Sequence, residues 1–448
     1  MTMNETAIEG RVIRPGEDGY DEQRLPWQRR FDPRPALIVE AAGPDDVQAA
    51  VRYAREAGLP LAVQATGHGT VVAADDALLL KTGALNSVDV DPRNATARVG
   101  AGALWSDVIA ATPDGLAPLS GTSPTVAVGG YTIGGGAGWL SRAYGFAADS
   151  LLSAEVITAD GERVTASDEE NPDLFWALRG GGGSFGVVTE LEFRLHPAER
   201  LYGGMLMFDA DNAHATFARY REWAQTEPDE SNSAVVVMNM PPIPQVPEPV
   251  RGRRVLAVRT IYLGDADAGA RSVDPLLEVA GTPLMGGMQE MRYPDTATLL
   301  GPAPPPSVAE VRFALLEDVV DEALEVLADP ALSVTAVELR HWGGAMSSPP
   351  EGAGPIGHRD VPFSVAINAL VPERVQLAAA RTAADDVMRR LRPHATGGSF
   401  LNFLGDPAET ATAYTDADYR RLAEIKAVYD PDNVYSSGHV IPPASGAS

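Results

Sequence analysis

Eighteen residues, Gly121 to Gly138 (GTSPTVAVGGYTIGGGAG), hold seven glycines. Glycine has no Cβ, so backbone N–H groups in such a run can lie against a flat or anionic molecule. Val126, Val128, Tyr131 and Ile133 interleave with the glycines, whereas a flexible linker is Ser/Gly-rich and has nothing to bury. The pattern therefore favours a ligand cradle. A second candidate is His68, set between glycines in Thr66-Gly67-His68-Gly69-Thr70. Such a side chain stands on a tight turn where a ligand has room to approach, and a turn histidine bonded to its own backbone fits the same spacing. A third stretch, Gly180 to Gly186, matches G-x-G-x-x-G (Gly181, Gly183, Gly186) and also G-x-S-x-G around Ser184. Both chemistries need strand, turn, then helix, because a helix N-terminus must face the phosphate or oxyanion. Here a helix over 173–179 leads in and a strand over 186–195 leads out, which argues against a dinucleotide turn and a serine hydrolase alike.

These residues need elements to hold them. Residues 36–40 read as a buried strand and 44–57 as a helix with Val47, Ala50, Val51 and Ala54 on one face, Pro44 at its start and Gly58 past its end. A strand over 61–65 then runs directly into His68. Strands at 77–80, 87–90 and 96–100 and a helix at 105–111 precede the glycine stretch. Residues 154–158 and 163–165 flank Asp160-Gly161 as a hairpin, and Asn171-Pro172 caps the helix over 173–179. Past His196-Pro197, strands are expected at 204–208, 234–240, 255–263, 334–341, 363–370 and 400–404. Amphipathic helices over 213–224, 268–279, 315–327 and 374–391 alternate with them, joined by Pro-rich loops near 241–249 and 301–307. That order suggests one sheet covered by helices. A helix over 419–429 closes the chain.

Composition removes several function classes. At 448 residues two domains are the prior. The net charge of −26 argues against nucleic acid or an anionic membrane surface as partner. The chain has no cysteine, which excludes disulfides, Fe–S clusters and thiolate chemistry. None of its seven histidines is paired at i, i+4, so a helical zinc site is not expected. The first residues lack the features of a signal peptide and no apolar run reaches spanning length, so a soluble, cytoplasmic protein is expected.

The segments RPALIVEAAGPDDVQAAVRYAREAGLPLAVQATGHG, GTSPTVAVGGYTIGGGAGWLSRAYG, NPDLFWALRGGGGSFGVVTELEF and RRLAEIKAVYDPDNVYSSGHVIPP, in that order, resemble the FAD-linked oxidoreductases of the vanillyl-alcohol-oxidase superfamily, berberine-bridge-enzyme-like branch. The resemblance implies an α+β fold. A two-part PCMH-type FAD-binding domain (1–198, with 411–448 returning to it) would accompany a substrate domain (199–410) whose antiparallel sheet is covered by helices. It implies that Ala65, Thr66, Gly67, His68 and Gly69 hold the pyrophosphate, with His68 bonded covalently to the flavin. It also places Gly129, Gly130, Gly134 and Gly138 along the cofactor and Gly186 and Val188 near its adenine end. Ser123 stands where bicovalent members carry a cysteine, so only one covalent link is possible.

The implied activity is oxidation of an alcohol, sugar or secondary metabolite by hydride transfer to flavin N5, with O2 as acceptor. Leu151 matches a position where family members admit or block oxygen. Phe400, in Phe400-Leu401-Asn402-Phe403, replaces the tyrosine that many members place in the active site. The groups left for proton handling or substrate binding are Tyr131, His341 and Asn368. A tailoring oxygenase and a catalytically impaired flavin-binding protein are the alternatives.

Overall fold

The computed structural model describes residues 8–445, a mixed α+β chain with sheets of four, five and seven strands and a short two-stranded pairing. The leader reading begins on residues 1–7, which lie outside the described residues.

In the first sheet Leu37–Glu40 and Leu61–Gln64 both run parallel to Leu78–Lys81, which lies between them. Helix Pro44–Ala57 makes the crossover. Its expected face, Val47, Ala50, Val51 and Ala54, is fully buried against the strands, in a cluster with Val39 and Leu78. Pro44 occupies the first turn and Gly58, at φ +65°, supplies the left-handed C-cap. The Asp46 carboxylate secures the entry by accepting N–H bonds from Glu9, Gly10 and Ala42 at 2.8, 2.9 and 2.8 Å.

The second sheet is antiparallel throughout, in the order Val88–Asp91, Thr96–Gly100, Val187–Arg194, Leu151–Ile157, Arg163–Ser167. Its last hairpin turns at Asp160-Gly161, with Gly161 at φ +78°. Trp105, Trp139, Phe175 and Leu191 share one core cluster with Leu422, Ile425 and Ile441 from the end of the chain. Lys426, fully buried on helix Asp416–Tyr429, fastens that end: it donates to Ser184 O at 2.7 Å and Tyr435 O at 3.2 Å, and pairs with Asp430.

The third sheet is antiparallel, in the order Met285–Met291, Leu201–Asp209, Arg254–Leu263, Ser231–Asn239, Ala336–His341, Phe363–Val371, Val308–Leu316. Helices Ala213–Ala224, Ala266–Ala280, Asp321–Ala328 and Leu377–Leu391 cover one face, where Phe217, Leu276, Leu324 and Val387 join Val235, Val258, Leu339 and Val365 in one cluster. Strand alternation puts Ala234, Arg259, Glu338, Arg340 and Asn368 on the opposite face. That face turns toward the glycine stretch: Asn232 donates to Gly138 O at 3.2 Å, and Ile261 belongs to the Trp105 cluster.

Four local expectations are corrected. Residues 315–327 are not one helix, because Val308–Leu316 is a strand and only Asp321–Ala328 is helical. Residues 400–404 form a single 3-10 turn, Leu401–Phe403, rather than a strand. Met285–Met291 is an unexpected edge strand, since MGGMQEM has no β-branched residue to announce it. Asn171 precedes its helix with φ +51° and does not cap it through its side chain, which donates instead to Thr165 O at 2.7 Å.

Candidate functional site

His68 follows strand Leu61–Gln64 on a turn that only glycine can make: Gly67 has φ +78°, and a Cβ there would lie 2.6 Å from Pro26 Cβ. The segment after Pro26 pairs with this turn. Trp27 N–H donates to Thr66 O at 3.0 Å and Gln28 N–H to Gly67 O at 3.2 Å. This pairing lays the Trp27 indole on the imidazole, with ring centroids 4.3 Å apart and planes 17° from parallel. Nδ1 of His68 is bonded to Thr66 Oγ1 at 2.9 Å, while Nε2 is buried with no partner among the described residues. Burial pushes its pKa down to about 4, so the ring is neutral at pH 7. The ring is thus an uncharged, oriented imidazole with one nitrogen uncommitted.

The glycine stretch divides into two kinds of glycine. At Gly129, Gly134 and Gly138 a Cβ would lie 2.8 Å from Ala101 O, 2.4 Å from Asn402 Nδ2 and 1.8 Å from Ser120 O, so packing within the protein requires glycine. Gly186, at φ +156°, is the same case, with Val156 Cγ1 at 2.3 Å. Gly69 and Gly130 differ: nothing lies within 4 Å of a Cβ at either, and both are exposed. Gly130 lies on helix Val128–Ile133, a short element that the glycine content had hidden. Of the remaining expected cofactor contacts, Ala65 and Thr66 are half-buried beside His68, Ser123 Oγ bonds Thr125 Oγ1 at 3.2 Å, and Val188 is buried in the core.

Tyr131 is wedged among glycines. A Cβ on Gly121 or Gly136 would strike its ring at 2.9 and 2.6 Å, and Trp105 meets it edge-on at 5.4 Å. Its hydroxyl is buried without a partner among the described residues, and burial holds its pKa well above the usual phenol value. A phenol so placed stays protonated and can donate a hydrogen bond; it is a poor base at neutral pH. Asn402 joins the stretch from the far end of the chain, accepting Gly136 N–H at 2.8 Å and donating to Tyr131 O at 3.2 Å. Its neighbour Phe400 packs into an aromatic cluster with Phe146, Trp342 and Phe403.

Asn368 is half-buried on the sheet face turned to the glycine stretch, and its amide has no hydrogen-bond partner among the described residues. His341 is not brought together with it. His341 shares the helix-covered face with Val337 and Leu339, its Nδ1 meets Glu227 Oε2 at 2.5 Å, and its N–H donates to Tyr220 Oη at 2.9 Å. The structure therefore gives it a partner set on the side away from Asn368. The residues missed by the sequence reading are Arg259, Glu338 and Arg340, ion-paired on the same face as Asn368. Alternation in Val337-Glu338-Leu339-Arg340-His341 is the signal that could have found them. Ser184 Oγ is committed between His439 O at 3.1 Å and Ile441 N at 3.0 Å, a structural role.

Residues 35–167 match the model of an FAD binding domain family, and residues 399–442 match the berberine and berberine-like family. The chain is 29% identical over 459 residues to the uncharacterised FAD-linked oxidoreductase YvdP of Bacillus subtilis, covering 99% of this chain and 100% of that one. It is 38% identical over 197 residues to (R)-6-hydroxynicotine oxidase of Paenarthrobacter nicotinovorans, a match spanning 43% of each. Among solved structures, 6-hydroxy-D-nicotine oxidase from Arthrobacter nicotinovorans superposes with a TM-score of 0.85 at 24% identity, over 98% of this chain and 99% of that one. Berberine bridge enzyme from Eschscholzia californica does so with a TM-score of 0.85 at 20% identity, over 99% and 98%. At these identities the superpositions speak to the fold.

Proposed function

The chain belongs to the FAD-linked oxidoreductases of the vanillyl-alcohol-oxidase superfamily, in the berberine-bridge-enzyme-like branch, and from that membership we propose a single-histidine flavoenzyme that oxidises a small alcohol or amine. The observation that carries the proposal is the His68 ring: neutral, stacked under Trp27, with Nε2 buried and uncommitted. Open space at Gly69 and at Gly130 leaves room for a cofactor to approach the backbone at each. We assign residues 1–198 and 411–448 to the flavin-binding part and 199–410 to the substrate-binding part.

When bound, FAD supplies the two-electron acceptor. Around it, Gly69 and Gly130 leave backbone amides accessible to phosphate and ring oxygens. Tyr131 remains a neutral hydrogen-bond donor, and Asn368 orients the substrate through its amide. Neither is a strong base, so the proton released from the oxidised hydroxyl or amine passes to water or to a group the substrate itself brings. Leu151, 3% exposed, is packed into the core, and we expect O2 to reoxidise the enzyme at a modest rate.

The test begins with colour. The purified protein should be yellow and should keep its flavin after acid precipitation, with the intact mass raised by one FAD. Anaerobic addition of alcohols, sugars and amines should bleach the band near roughly 450 nm for at least one class. Colourless protein of plain translated mass overturns the assignment. Admission of air then reads the acceptor: recovery within seconds with stoichiometric peroxide marks an oxidase, and recovery over minutes excludes O2 as the working acceptor.

A further inference from the structure

The sheet face opposite the helices carries a charge cluster that the reaction outlined above does not use. Arg259, on strand Arg254–Leu263, pairs through Nη2 with Glu338 Oε2 at 2.7 Å. Arg340, on strand Ala336–His341, approaches Glu338 Oε1 with Nε at 2.9 Å and Nη2 at 2.7 Å. All three side chains are largely buried, 9%, 14% and 12% exposed for Arg259, Glu338 and Arg340. Two guanidinium groups share one carboxylate, which leaves one surplus positive charge in a poorly solvated place. Isolated buried charge is costly unless a counter-ion joins it. Among the described residues, Arg259 Nε and Nη1 and Arg340 Nη1 have no hydrogen-bond acceptor, and none of them is sealed from solvent.

The position of the cluster is specific. The Arg259 guanidinium lies 5.6 Å from the centroid of Trp139, directly after the glycine stretch, and the Arg340 charge reaches Tyr131. Asn368 shares the face two strands from Arg259's neighbour Ala234. Around the arginines that face is apolar: Ala234, Val236 and Ala257 form a patch joined by Met205, Met207 and Met238. On the other side of the sheet Arg142 and His341 both meet Glu227 Oε2, Arg142 also donates to backbone carbonyls, and Glu227 Oε1 is buried without a partner among the described residues.

We propose that Arg259 and Arg340 form a carboxylate-recognition site, so that the substrate is an acid: a carboxylate on an apolar or aromatic body that also bears the oxidisable hydroxyl or amine. The planar fork of arginine matches a carboxylate in two parallel bonds, and the methionine-bordered patch receives the body. Glu338 positions the two guanidinium groups and keeps their spare donors directed outward. This substrate class rests on the oxidoreductase reading, and the experiment separates the two.

The probes are benzoate and its neutral isostere benzamide, titrated into the holoprotein at pH 7.5 and read by calorimetry and by perturbation of the flavin spectrum. Benzoate should bind saturably, at least about tenfold more tightly than benzamide, as expected for a desolvated charge-assisted pair. Arg340→Gln should bring benzoate down to the affinity of benzamide at unchanged flavin content. Equal affinity for the two probes, benzoate binding too weak to detect at millimolar concentration, or an unchanged preference in Arg340→Gln overturns the proposal. The comparison on the unmodified protein decides the matter even where the variant does not fold. Calorimetry needs no flavin signal, so absence of bound flavin with preferential benzoate binding would sink the oxidoreductase reading and leave the carboxylate site standing, and a yellow protein indifferent to benzoate would sink this proposal alone.

Discussion

At the scale of single residues, His68 differs from an ordinary turn histidine because an indole covers it. Stacking at 4.3 Å removes water from one face and burial holds the pKa at about 4, so the ring stays uncharged across the whole physiological range. His68→Ala should therefore leave a folded protein whose flavin is lost entirely to the supernatant on acid precipitation. Retention of the flavin with the pellet would show that another residue makes the bond. Trp27→Ala should lower the covalent fraction without abolishing it, read as flavin fluorescence of the denatured band.

His196 supports a separate prediction about pH. Burial, with Arg194 adding to it, lowers its pKa from 6.5 to about 4, and its Nε2 bonds Ser150 Oγ at 2.7 Å. Between these two values the unfolded chain binds more protons than the native one, so stability falls as pH drops from about 6.5 toward 4. His196→Gln should flatten that fall. After discounting for partial exposure to about 1 kcal/mol, the difference amounts to roughly 1 °C in Tm at pH 4.5 at this chain length. Equal slopes for the two proteins, compared in the same flavin state, would remove His196 from the account.

At the scale of elements, the glycine stretch separates what packing demands from what a ligand demands. Gly138→Ala puts a methyl 1.8 Å from Ser120 O and should cost about 3 kcal/mol or more, seen as loss of soluble protein. Gly130→Ala meets nothing within 4 Å on a helical turn, so the apoprotein should gain roughly 0.5–1 kcal/mol while flavin content falls. Composition alone marks both positions identically, so the difference between them is not legible in the sequence.

Much else about the elements was legible. Helix Pro44–Ala57 is written in its period and its Pro and Gly ends, and the expected order of helix, glycine loop and strand around Ser184 is the one observed. Strand Met285–Met291 was not legible, because its approach to Leu201–Asp209 depends on glycines that carry no strand signal: a Cβ on Gly204 would lie 1.9 Å from Gly287 O and one on Gly286 2.0 Å from Met205 O. The placement of His341 could have been read. Val337 and Leu339 are apolar at odd positions, so His341 follows them into the helix-covered core while Glu338 and Arg340 take the other face.

At the scale of the whole molecule, the question is what holds the seven-stranded sheet against the glycine stretch so that its polar face meets the ligand. Arg142, 2% exposed on the turn Ser141–Tyr144, is one such tie. Its Nε donates to Ser231 O at 2.8 Å and its Nη2 to Glu227 O at 3.1 Å and Pro228 O at 3.3 Å, while Nη1 donates to Trp342 O. These carbonyls begin or follow three segments of the sheet region, so one guanidinium fixes their spacing against the residues beside Tyr131. Arg142→Met keeps the length and apolar stem and removes every donor, leaving four carbonyls and the Glu227 carboxylate without it. The expected loss is about 3 kcal/mol. Because the Phe217 and Trp105 clusters are separate cores, that loss should appear in calorimetry as the splitting of one unfolding transition into two. A single transition, lowered but unsplit, would mean that the apolar contacts around Ile261 couple the two cores by themselves and that Arg142 only adds to them.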